Sequence, residues 1–147
     1  KLLMVGDGPE RPVAEDLARQ YGIEGDVRFL GKQEQMEEIL AVSDIFLLPS
    51  EYESFGLAAL EAMAAKTAVI STNTGGLPEV NIQGKTGFLS DLGDIKDMAK
   101  NAISILKEDA ILDQFKRNAK EHTKKFSLQN ILPVYEEIYS SVLEKVL

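Results

Sequence analysis

Glu53 and Glu61 are the residues of this chain whose type and spacing most readily do chemistry. They lie eight apart in Leu47–Ala65, which reads as the end of a buried strand, a short acidic turn and a helix of small residues. Ser54, Phe55, Gly56 and Leu57 stand between them, where that helix is expected to begin. The first amides of a helix have no intrahelical partner and carry the positive end of its dipole. Ser54 suits the N-cap, because its hydroxyl can accept from an amide two or three residues on. Gly56 keeps the opening free of side-chain bulk. Unpaired donors flanked by two carboxylate acceptors suit a molecule rich in hydroxyls that carries a negative group. Either glutamate could instead be a solvated helix-end charge. Glu61, however, stands among Leu57, Ala58, Leu60, Ala62, Met63 and Ala64. A helix of that composition is expected to be buried on most sides, where one carboxylate needs a partner or a ligand.

The elements that must hold this turn follow from the apolar pattern. Short apolar runs predict strands at Leu2–Val5, Val27–Leu30, Ile45–Leu48, Ala68–Ser71 and Gly87–Leu89. Helical spacing appears between them: Val13, Leu17, Ala18 and Tyr21, with Pro9 pre-setting the first turn and Gly22 stopping it. A second helix is expected over Gln33–Val42 with Met36, Ile39 and Leu40 as its stripe. Strands alternating with helices at this spacing predict a doubly wound α/β fold, a parallel sheet covered on both faces. From Asp94 onward the pattern is helical only. Asp94 caps Ile95–Leu106, whose expected apolar face is Met98, Ala99, Ala102, Ile103 and Leu106; further helices are expected near Asp109–Lys120 and Ile131–Leu143.

Composition limits the function classes. The 44% hydrophobic and 27% charged residues are those of an ordinary globular protein, and 147 residues are most simply one domain. A net charge of −8 argues against nucleic acid as a partner, because phosphates would be repelled over most of the surface. With no cysteine, disulfides and thiolate metal sites are excluded, and a cytoplasmic, reducing location is permitted and expected. No apolar run is long enough to span a bilayer. The chain opens on the strand-like Lys1-Leu2-Leu3-Met4-Val5, so a piece of a longer protein is expected.

Other motifs weigh less. Gly6-Asp7-Gly8-Pro9 follows a strand, but the third glycine of a dinucleotide fingerprint would fall at Arg11. A plain tight turn outweighs a phosphate contact there, and NAD binding is rejected. Neither a Walker motif, a Ser–His–Asp set nor a metal-ligand spacing is present. Thr74-Gly75-Gly76-Leu77-Pro78-Glu79 ends the fourth strand at the edge where open parallel sheets bind ligands, with packing the simpler role for Pro78 and Glu79. His122, amid Lys120, Glu121, Lys124 and Lys125, reads as a surface residue.

Taken together, these segments resemble the donor-binding, C-terminal half of the retaining GT-B glycosyltransferases of the group 1 type. The resemblance is carried by Glu53 and Glu61 with seven residues between them, and by VGDGP, VRFLG, SDIFLLPS, STNTGGLPE and GKTGFL. It implies that Glu61 binds the ribose hydroxyls of a nucleotide diphosphate sugar and that Glu53, the catalytic-site member, lies by the sugar ring. Ser54 and the amides of Phe55, Gly56 and Leu57 would hold sugar hydroxyls and the diphosphate end of the donor. Arg28 would flank the base, and the Gly6 and Gly8 turn would complete the donor site. The implied chemistry is metal-independent, with no cofactor beyond the donor, for which UDP-N-acetylglucosamine is expected. Stabilising charge on the departing diphosphate is its main catalytic task.

Two departures qualify the resemblance. The family usually has a glycine and a proline after the signature helix, where Lys66-Thr67-Ala68 stand here. The arginine and lysine that grip the diphosphate, the first strand of the lobe and the acceptor-binding domain are expected upstream of residue 1. The polypeptide alone is therefore expected to bind nucleotide weakly and to transfer no sugar. A non-catalytic α/β nucleotide-binding or interaction module is the alternative; an epimerase would need a second acid–base pair, and none is seen.

Overall fold

A computed structural model describes residues 1–146, with side chains described through Glu144. Strands and helices alternate in the expected order, and every strand pairing is parallel. The chain divides into two compact units, residues 1–36 and residues 37 onward.

In the first unit, β1 (Leu2–Val5) pairs with β2 (Val27–Gly31), and α1 (Arg11–Gln20) connects them. The proline in the first turn of α1 is Pro12 rather than Pro9, because the turn after Gly8 delays the helix to Arg11. Its missing amide proton costs nothing there, since no intrahelical acceptor faces a first-turn amide. Arg11, at the position where a dinucleotide fingerprint needs glycine, stacks 5.8 Å from the Phe29 ring and binds Glu15 at 2.8 Å.

In the second unit, β4 (Ala68–Thr72) is the central strand, flanked by β3 (Ile45–Leu48) and β5 (Gly87–Ser90). All five β4 residues are buried, as a central strand covered on both faces must be. One side of it, Ala68 and Ile70, packs with Ile105 of α5 (Ile95–Leu106) and with Leu112 and Phe115 of α6 (Asp109–Thr123). Each fully buried aliphatic side chain of this kind contributes roughly 1.5–3 kcal/mol. Asp94 caps α5 as expected, accepting from the Asp97 amide at 2.9 Å. The face of α5 differs from the expected one. Ile105 is the core residue, Met98 and Ala102 pack beside it, and Ile103 lies outward. α2 (Met36–Ala41) is shorter than the expected Gln33–Val42 but keeps the whole apolar stripe, and α7 (Leu128–Val146) is longer than the expected Ile131–Leu143, carrying Pro133 in its second turn.

A buried polar knot joins β4 to β5. Asn81, fully buried after the short helix α4 (Leu77–Val80), donates from Nδ2 to the Val69 carbonyl at 3.2 Å, the Phe88 carbonyl at 3.0 Å and Ser71 Oγ at 3.0 Å. Its Oδ1 accepts from Thr86 Oγ1 at 3.0 Å. An apolar side chain of similar size would strand these acceptors, each a loss of roughly 1–3 kcal/mol. Lys66 is the one non-glycine residue with positive φ among the described residues, at 64°. The turn after α3 (Leu57–Ala64) thus has the left-handed bend that glycine accommodates freely, so lysine strains the turn.

Two stability changes are expected in chemical denaturation. Asn81→Leu should lower unfolding free energy by about 3 kcal/mol or more. Lys66→Gly should raise it by about 0.5 kcal/mol, the relief of left-handed strain outweighing the extra chain entropy of glycine.

Candidate functional site

The segment after β3 is positioned almost entirely by the segment after β4. Thr72 Oγ1 donates to the Ser50 carbonyl at 2.6 Å, and Thr74 Oγ1 to the Glu51 carbonyl at 3.1 Å. The Gly76 amide donates to the Glu53 carbonyl at 3.0 Å. Three donors in five residues therefore hold three of the four carbonyls from Ser50 to Glu53. Glycines make the approach possible. A Cβ on Gly75 would stand 1.8 Å from the Glu53 carbonyl oxygen, and one on Gly76 would stand 2.6 Å from that of Ser54. The Gly75-Gly76 pair is the surface on which the Glu53 turn rests.

The helix start differs from the expected one. Gly56, not Ser54, is the N-cap residue of α3, with φ 98° and ψ 38°, and no side chain caps the helix in the usual way. Glu53 occupies that role from upstream: its Oε1 accepts from the Gly56 amide at 3.1 Å and lies 3.5 Å from the Phe55 nitrogen. Ser54 is exposed and its hydroxyl takes no part. The left-handed Gly56 turns the chain so that a side chain three residues before it can reach its amide. Of the amides expected to be open, those of Phe55 and Gly56 face Glu53. That of Leu57, and that of Ala58 beyond it, find no acceptor among the described residues.

Glu61 also differs. Ala59, Leu60, Ala62 and Met63 are buried, but Glu61 lies on the exposed side of α3. It has neither a hydrogen bond nor an ion pair among the described residues. Burial is therefore not what demands a partner for it. The side chain is an accessible carboxylate on a helix whose opposite side is locked in the core. Phe55 is half-exposed and meets Phe126 edge-on at 6.1 Å, and Leu57 is exposed. Glu53, Ser54, Phe55, Gly56, Leu57 and Glu61 thus form one contiguous feature of the second unit.

Arg28, Gly6 and Gly8 belong to the first unit. Arg28, exposed on β2, donates from Nη1 to the Val27 and Gly25 carbonyls at 3.2 and 3.3 Å. The Gly6 amide donates to the Gly31 carbonyl at 2.8 Å, and that of Gly8 to Asp7 Oδ1 at 2.9 Å. Both glycine amides are used within the first unit itself, Gly6 across to the end of β2 and Gly8 within the turn.

His122 is not the surface residue expected. It is 7% exposed, edge-on to Phe126 at 5.5 Å, and burial holds its imidazole below the ordinary titration range. Lys125 and Lys85 lower it further, against the Val80 carbonyl. Leu112, Phe115, Ala119 and His122 recur at helical spacing, and that periodicity is the signal that marks it as inward.

Residues 1–122 match the family described as Glycosyl transferases group 1. The chain is 45% identical over 144 residues to N-acetyl-alpha-D-glucosaminyl L-malate synthase of Bacillus anthracis, covering 97% of this chain and 38% of that protein. Its fold matches sucrose-phosphate synthase from Thermosynechococcus elongatus with a TM-score of 0.84 at 29% identity, over 98% of this chain and 39% of that one. It also matches HepE of Anabaena, in complex with UDP and glucose, with a TM-score of 0.82 at 25% identity, over 95% and 40% of the two chains. The chain thus spans about two fifths of the length of these relatives.

Gly75→Ala and Gly84→Ala separate packing from backbone strain at this turn. Both glycines have positive φ, but a Cβ on Gly84 meets nothing within 4 Å. Gly84→Ala should cost about 1–2 kcal/mol in denaturation. Gly75→Ala should cost at least about 2 kcal/mol more, because the Glu53 carbonyl must move.

Proposed function

The chain belongs to the group 1 glycosyl transferases, and we propose that it is the part of such an enzyme that binds the nucleotide diphosphate sugar donor. The observation that carries this reading is the arrangement around α3: an accessible carboxylate at Glu61, a second at Glu53 folded against the Gly56 amide, and open amides at Leu57 and Ala58. A carboxylate offers two acceptor oxygens, which suits the vicinal hydroxyls of a ribose. Glu61 takes that role. The amides at the start of α3 face the diphosphate, where the helix dipole favours negative charge. Glu53 lies by the sugar ring, and its bond to Gly56 fixes the carboxylate before the sugar arrives. Ser54 and Phe55 line the donor beside that turn.

The donor is UDP-N-acetylglucosamine and the acceptor a hydroxyl of L-malate; the name of the 45% identical malate synthase relative supports the sugar and the acceptor, and the UDP complex of HepE supports the nucleotide. In the retaining reaction the acceptor hydroxyl attacks C1 of the sugar on the face from which the diphosphate departs. No protein nucleophile is then required of Glu53. The chain's contribution is positioning and electrostatic: amides meet the charge that grows on the leaving diphosphate. The cations that complete this stabilisation and the residues that bind the acceptor belong to the remainder of the enzyme.

Calorimetric titration with UDP tests the ribose assignment. Glu61→Ala should weaken binding by about 10- to 150-fold, the roughly 1.5–3 kcal/mol carried by hydrogen bonds to a charged acceptor. Equal affinity of variant and wild type removes Glu61 from the ribose. Absence of any UDP binding by the wild-type protein favours a non-catalytic interaction module of the same fold.

A further inference from the structure

The Glu53 turn is also held from a side that the Thr72, Thr74 and Gly76 contacts do not reach. Phe55 lies inside the loop that the Glu53–Gly56 hydrogen bond closes, and its nitrogen is 3.5 Å from Glu53 Oε1. Its half-exposed ring meets Phe126 edge-to-face, with centroids 6.1 Å apart and planes at 72°. Phe126 in turn meets His122 at 5.5 Å and 66°. His122 is buried near the end of α6, where the Val80 carbonyl is the polar group acting on its ring. Val80 and Leu77 of α4 lie against Gly56: a Cβ there would stand 3.0 Å from Leu77 Cδ2 and 3.7 Å from Val80 Cγ2. Phe55, Phe126, His122, Val80 and Gly56 therefore close a circuit of contacts around the start of α3.

Phe126 reaches this circuit from far along the chain and lies beyond residues 1–122, the part that matches the family. It ends the single helical turn Lys124–Phe126, which is itself tied down. The Lys124 carbonyl accepts from Asn130 Nδ2 at 2.7 Å and from the Ser127 amide at 3.2 Å, and Thr123 Oγ1 donates to the Lys120 carbonyl at 2.8 Å. An edge-to-face pair prefers one mutual orientation, whereas an aliphatic side chain fills similar space without selecting one. We propose, on the donor reading given above, that Phe126 is a positioning residue for the donor turn. Backed by His122, its ring fixes Phe55 and thereby the Phe55 and Gly56 amides that face Glu53. Gly56 has the backbone freedom to let that segment swing. With α4 against Gly56 and Phe126 against Phe55, the segment is held on both flanks.

Nuclear magnetic resonance of the ¹⁵N-labelled protein tests this with and without UDP. Without ligand, the Gly56 amide signal should become more temperature-dependent in Phe126→Leu, as its bond to Glu53 is held less firmly. With UDP, Phe126→Leu should weaken binding about 2- to 10-fold, the range of one aromatic pair. Phe55→Leu should weaken it at least as much, and the double variant no further than Phe55→Leu alone. A merely structural role of Phe126 would instead lower affinity in both backgrounds. Should Phe126→Leu not fold, Phe55→Leu breaks the same contact from its exposed side, and the ring signals of His122, the only histidine, should then move. An unchanged Gly56 amide in Phe126→Leu, unmoved His122 signals in Phe55→Leu, or additive losses in the double variant each overturn the proposal. If the wild type binds no UDP, the donor reading falls, and the ligand-free signals still decide whether Phe126 positions the turn.

Discussion

The constraint on which the site depends is that two loops at one end of the sheet share their hydrogen bonds. The stretch from Ser50 to Glu53 has no regular partner of its own, and its carbonyls would otherwise rely on water. Thr72, Thr74 and the Gly76 amide supply the donors instead. Those donors sit at the end of β4, the most deeply buried strand of the second unit. The turn that carries Glu53 is therefore indexed to the core through three short contacts rather than left to its own conformational freedom. Gly75 and Gly76 serve the same end, since any side chain there would push the turn away. A side chain held within tenths of an ångström needs such support, because loop flexibility alone would blur it.

The knot around Asn81 extends that logic one layer down. β4 presents apolar Ala68 and Ile70 to α5 and α6, while Val69, through its carbonyl, and Ser71, through its hydroxyl, meet Asn81. The amide group reads the spacing of β4 and β5 directly, by bonding the backbone of both. It also fixes the exit of α4, which follows the Gly75-Gly76 pair. Polar burial here specifies a register that an apolar contact would leave free to slide.

Much of this was legible in the residues. Alternating apolar runs and capping signals located the elements, because period and capping are local properties. Asp94 capping α5 and the order of strands needed no tertiary information. Three features did not follow from local chemistry. Ser54 is a good N-cap by type, but Gly56 adopts a left-handed conformation and lets Glu53 compete for the same amides. Which side of α3 faces the core depends on α6 and β4, so the small residues around Glu61 could not reveal that it points outward. His122 was masked by its charged neighbours in sequence, although its helical spacing from Ala119 and Phe115 points inward. For Glu61 and His122 the deciding partners lie far away along the chain, whereas Ser54 loses to a competitor one residue away.

The outward placement of Glu61 also bears on its proposed role toward a nucleotide. A buried carboxylate would carry a desolvation penalty whenever the site is empty, unless a cation were supplied beside it. An exposed one stays hydrated until the ligand arrives and gives up that water only when hydroxyls replace it. Precision is then provided from beneath rather than from around. Ala59, Leu60, Ala62 and Met63 lock the other side of α3 into the core, so the carboxylate moves through its own rotamers and little else. Glu53 follows the complementary strategy, its oxygen already bonded to the Gly56 amide. One acidic side chain is positioned by the rigidity of its helix and the other by a hydrogen bond, the turn that carries it resting on the residues at the end of β4.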